Sequence, residues 1–64
     1  MQSFIDRLVA EHTELTERIQ KLEVFLASDK VNTIDPDQAM LLAIQLPIMK
    51  AYQHVLGQRI ELTN

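Results

Sequence analysis

Ala27-Ser28-Asp29-Lys30-Val31-Asn32-Thr33-Ile34-Asp35-Pro36-Asp37-Gln38 is the stretch that divides the chain in two. Its first eight residues carry Ser28, Asp29 and Asn32, whose side chains compete with helical backbone hydrogen bonds, and they read as a connecting loop. The last four place an N-cap, a proline at the first helical position, an acid in the first turn and a glutamine at the third helical position, which starts a second helix. That helix is expected from Pro36 to about Glu61. Upstream, Ser3 followed by Asp6 is a variant of the capping box. Behind it Ile5, Leu8, His12, Leu15, Ile19, Leu22 and Leu26 alternate spacings of three and four, the seam of an antiparallel pair. Helix one is therefore expected from Ser3 to Leu26, roughly 36 Å long at ~1.5 Å per residue, and too narrowly amphipathic to stand alone. The chain reads as all-α: one domain over residues 1–64, a two-helix antiparallel hairpin of about 3–26 and 36–61.

Helix two carries two apolar stripes. Leu42, Leu46, Met49, Leu56 and Ile60 form one, and Leu41, Ile44, Ile48, Tyr52 and Val55 the other. A hairpin covers only one of them, and a continuous exposed apolar patch is rare on a monomer, so a homo-oligomeric helical bundle is expected. Pro47 falls mid-helix, where it removes a backbone donor and clashes with the carbonyl of Ala43, so a kink near Ala43 to Pro47 is expected. The bend either wraps helix two around its neighbours or opens a pocket at freed carbonyls.

Composition narrows the function classes. With 64 residues, one Gly and no Cys, the chain has no room for a parallel sheet or barrel and no thiols for disulfides or a thiolate metal site. Six basic against nine acidic residues give a net charge of -3, the wrong sign for general duplex binding. The N-terminus MQSFIDRLVAEH is not a signal peptide, and the most apolar stretch, Ala39 to Met49, is interrupted by Gln45 and Pro47 and falls short of the ~20 residues a spanning helix needs. A soluble, cytoplasmic protein is expected.

Among the polar residues, His12 occupies the seam. Folding the hairpin so that Leu26 faces about Gln38 brings His12 opposite about Tyr52. Such a pair either fixes register within an apolar seam or faces a ligand, with Tyr52 stacking on a base. The two histidines lie on different helices with no neighbouring ligand at metal spacing, so no metal or cofactor is expected. No serine or threonine has a nucleophile-elbow context, so a non-enzymatic role is expected. On helix one, Glu14 with Arg18 and Glu17 with Lys21 stand at the favourable i, i+4 spacing. Arg18, Lys21, Lys50 and Arg59 are the cations available to an anionic ligand inside an assembly, enough for a small molecule and too few for a long polyanion.

The pattern R-L-V-x-E-x-x-E-L (Arg7 to Leu15), L-x-x-F-L (Leu22 to Leu26) and L-L-x-x-Q-L-x-x-M-x-x-Y-x-x-V-L-x-x-R-I (Leu41 to Ile60) resembles a family of very short phage accessory proteins related to a crAss-like phage protein. Gln45, Leu46, Met49, Tyr52, Leu56, Arg59 and Ile60 carry the likeness. The resemblance implies a phage protein acting in the cytoplasm of an infected bacterial host. In size and shape the chain is also similar to helical-hairpin phage sponges that sequester the nucleotide messengers of CBASS or Thoeris immunity, although their N-terminal Tyr and Lys pairing has no counterpart here. The leading expectation is a counter-defence protein that oligomerises and withholds a cyclic nucleotide or ADP-ribose-type ligand without catalysis, using Tyr52, His12, Arg18, Lys21, Lys50 and Arg59. The alternatives are a protein-protein interaction module that inhibits a host or phage protein, and a dimer similar to the plasmid Rop protein that binds paired RNA loops.

Overall fold

The computed structural model describes residues 3–63. Two helices dominate it, α1 over Phe4–Ala27 and α2 over Pro36–Leu62, with a short 3-10 helix over Asp29–Thr33 between them. The hairpin measures 43 × 20 × 15 Å.

Local chemistry sets each boundary. The Ser3 hydroxyl accepts from the Asp6 amide at 3.1 Å while the Asp6 carboxylate accepts from the Ser3 amide, so both arms of the expected capping box form. Ser28 ends α1: its hydroxyl donates to the Phe25 carbonyl at 2.8 Å, and the same oxygen accepts from the Lys30 amide. One residue thus closes α1 on the Phe25 carbonyl, to which the Ser28 amide also donates, and opens the 3-10 helix. The segment expected as an irregular loop is therefore ordered, because the serine and threonine hydroxyls that disfavour an α-helix stabilise this tighter turn. Thr33 completes it by donating to the Lys30 carbonyl at 2.6 Å. Asp35 then accepts from the Asp37 amide at 2.7 Å with Pro36 in the first turn, and α2 begins where the sequence marks it.

The seam joins the two helices in antiparallel register. Leu8, Leu15, Ile19 and Leu56 are buried, and Leu46, Met49 and Ile60 pack against them. Leu56 is the central contact, with 0% of its surface exposed. Ile5, at the open end of the seam, stays exposed because α2 is near its C-terminus there. Among the described residues, four buried aliphatic side chains make a thin core for a chain without disulfides, the regime in which small domains usually need further apolar burial.

Helix α2 continues through Pro47 without interruption, and both Pro47 and Ala43 are exposed, so the carbonyl that the proline ring crowds faces the outside of the hairpin. The second apolar stripe is uncovered. Leu41, Ile44, Ile48, Tyr52 and Val55 expose between 43% (Tyr52) and 63% (Ile48) of their surfaces. No helix among the described residues is long and apolar enough to cross a membrane.

Candidate functional site

The seam has two flanks, and the polar residues sort between them. On the first flank, Phe4 and Glu11 of α1, seven residues apart, face Arg59 and Tyr52 of α2, also seven apart. Two turns of each helix therefore put a pair on the same edge. The Tyr52 hydroxyl donates to the Glu11 carboxylate. That hydrogen bond, together with partial desolvation and the carboxylate's charge, raises the phenol above its ordinary value of 10.0, while the nearby Arg59 pulls the other way. The Arg59 guanidinium sits 5.9 Å from the centroid of the Phe4 ring, at the outer range of a cation–π contact. This flank borders the exposed apolar stripe, of which Tyr52 is a member.

The second flank is concave. Glu23 and Lys50 form an ion pair at 2.9 Å with both side chains about half exposed, a geometry that contributes at most about 1 kcal/mol. One turn further along α2, the Gln53 carboxamide donates to the Thr16 hydroxyl at 2.8 Å, and Thr16 donates to the His12 carbonyl at 2.8 Å. Beyond them lies a cleft of about 450 Å³, open to solvent and lined by His12, Lys50, Gln53, His54, Gly57, Gln58 and Glu61. Gly57 is the only glycine in the chain. A Cβ there would lie 3.7 Å from the His12 Nε2, an ordinary contact, so the glycine is not forced by sterics. The His12 imidazole lies close over this position, and a helix-interior glycine costs roughly 1 kcal/mol relative to alanine.

Sequence-predicted site residues are thus divided. His12 and Lys50 come together at the cleft. Tyr52 and Arg59 stand on the opposite flank, and Arg18 and Lys21 are exposed on α1. The expected partnership of His12 with Tyr52 is replaced by Glu11 with Tyr52. A single residue along a helix turns the side chain by about 100°, which carries His12 across the seam to the other flank. The expected pairs Glu14 with Arg18 and Glu17 with Lys21 do not close either; among the described residues the ion pair is Lys50 with Glu23. The expected site residues leave out Glu11, Thr16, Glu23, Gln53, Gly57 and Gln58 of the two flanks, and His54 enters the sequence reading only as a metal ligand that is set aside. Gln53 had a signal, because it sits four after Met49 and three before Leu56, a polar residue set into the inner apolar stripe. Gly57, alone inside a helix, had one too.

Among the described residues, no three of His, Cys, Asp or Glu gather to hold a metal ion. What the cleft offers is hydrogen bonding: imidazoles, carboxamides and one ammonium around a gap in the α2 surface. A protein-family model described as Sequestin matches residues 2–62, nearly the whole hairpin. No curated protein and no solved structure matches the chain.

Proposed function

Since this chain belongs to the Sequestin family, we propose that it is a phage counter-defence protein that withholds a small nucleotide-type immune signal from a bacterial host effector by binding it without catalysis. The family name denotes sequestration, and the hairpin supplies two surfaces suited to it. The observation that carries the reading is the uncovered stripe of Leu41, Ile44, Ile48, Tyr52 and Val55 beside a thin core. A second copy of the chain seated on that stripe adds the apolar burial that the seam lacks, and the protein then acts as a homo-oligomer in the host cytoplasm.

Ligand contacts in this reading come from both flanks. Tyr52 and Arg59 border the stripe, where a ring and a guanidinium reach a molecule held between copies. His12 and Lys50 border the cleft. Arg18 and Lys21, exposed on α1, add positive charge as copies assemble. Calorimetric titration of the purified oligomer with a panel of cyclic nucleotides and ADP-ribose derivatives tests the proposal. Saturable binding of one of them is expected, and a panel with no binding overturns it.

A host or phage protein docked on the same stripe is the competing reading, favoured by the same exposure. It predicts a monomer that leaves the stripe free, so the oligomeric state separates the two.

A further inference from the structure

Resting on the self-association proposed above, we infer that the exposed face of α2 is a self-complementary interface, on which a second copy of the chain packs antiparallel about a two-fold axis at Ile48. The stripe is symmetric about that residue. Ile44 and Tyr52 lie four residues to either side of it, Leu41 and Val55 seven, and Asp37 and Arg59 eleven. All seven are exposed, and an eleven-residue repeat, about 3.67 residues per turn, keeps them on one face of the helix. At ~1.5 Å per residue that face is about 33 Å long.

Charge sets the polarity. A two-fold axis through Ile48 places each residue against its counterpart on the other side. Leu41 then meets the partner's Val55, Ile44 meets the partner's Tyr52, and Asp37 meets the partner's Arg59, so both ends of the interface close on an ion pair. Parallel packing instead sets Asp37 against the partner's Asp37, and Arg59 against the partner's Arg59. Sliding the antiparallel pair by one turn lays the Asp37 carboxylate on the partner's Val55 or, in the other direction, the Arg59 guanidinium on the partner's Leu41. Either slide buries a charge without a counter-charge. Between Asp37 and Arg59, the one Lys, Arg, Asp or Glu of α2 is Lys50, which is paired with Glu23 on the concave flank. Asp37 and Arg59 themselves are in no ion pair among the described residues. The Phe4 ring lies beside the Arg59 guanidinium at the end of the face, and its five-donor fork keeps donors for a ligand once a carboxylate is engaged.

Charge exchange followed by sedimentation equilibrium tests the pairing. Asp37→Arg and Arg59→Asp each create two like-charge contacts across the axis, and each is expected to raise the dissociation constant between copies about tenfold or more. The double exchange is expected to return it to within about threefold of the native value, with helical content followed by circular dichroism. Because the chain has no cysteine, introduced thiols read the polarity without relying on the exchanged variants to fold. Leu41→Cys mixed with Val55→Cys is expected to cross-link on oxidation as a mixed pair, in preference to either chain with itself. Self-linked Leu41→Cys in preference to the mixed pair, or a folded double exchange as weak as the single ones, would overturn the inference and leave self-association standing. A native chain that sediments as a monomer would overturn both. The expected register with no messenger bound from the calorimetric panel would remove the sequestration reading and leave the interface.

Discussion

The phenol of Tyr52 donates to the carboxylate of Glu11 across 41 residues of sequence, tying α2 to α1 at the border of the exposed apolar stripe. The contact lies at the edge of the second stripe, on the flank beside the buried seam. It holds Tyr52 beside Ile48 and Val55 on the outer surface while Leu56 turns fully inward.

Tyr52 is the only tyrosine, so its ultraviolet absorbance reports the phenol alone. Its pKa is raised in the fold, first by the hydrogen bond to Glu11. A raised folded value means that the contribution of this group to stability is fully present below the ordinary tyrosine value and is lost as pH rises through the folded one. Ionisation of Tyr52 is therefore expected above pH 10.0 in the native protein. Glu11→Gln should move the absorbance midpoint down toward that of a free tyrosine, and an unchanged midpoint would contradict the contact.

Much of the fold is legible in the sequence because caps and spacing are local. Ser3 with Asp6, Asp35 with Pro36, and the alternating seam each depend on residues within one or two turns, and the helices appear within a residue or so of the expected bounds. The site is less legible because it depends on rotation between the helices. A shift of one residue, about 100° on the helix surface, decides whether Glu11 or His12 meets Tyr52, and periodicity does not fix rotation so finely. The cleft is harder still, since it depends on which side chains of α1 and α2 the hairpin brings together and leaves no periodic trace.

Leu56→Ala removes the most buried side chain of the seam. Chemical denaturation should show a loss of about 2 to 5 kcal/mol, the range for emptying a packed aliphatic site. With four buried residues in the core among those described, that loss is expected to leave a substantial unfolded population in water.

Pro47 is exposed inside a continuous helix. Pro47→Ala restores a backbone donor and relieves the clash with the Ala43 carbonyl, so thermal unfolding should move upward by the equivalent of about 1 to 3 kcal/mol. A lower midpoint would mean that the proline shapes a packed surface.

Glu23 and Lys50 are each about half exposed, so their ion pair is screened by solvent. A double-mutant cycle on Glu23→Gln and Lys50→Met should give a coupling of about 0.2 to 1 kcal/mol that shrinks with added salt. A larger, salt-insensitive coupling would place the pair inside an interface between copies.

The central claim joins self-association on the second stripe to retention of a small ligand. Native mass spectrometry of the protein purified gently from bacteria tests both at once, with Ile48→Asp as the comparison because Ile48 is the most exposed member of the stripe. The account predicts an oligomer carrying additional mass in the nucleotide range, and a shift toward monomer in Ile48→Asp. A native chain that stays monomeric at micromolar concentration and carries no added mass would contradict it.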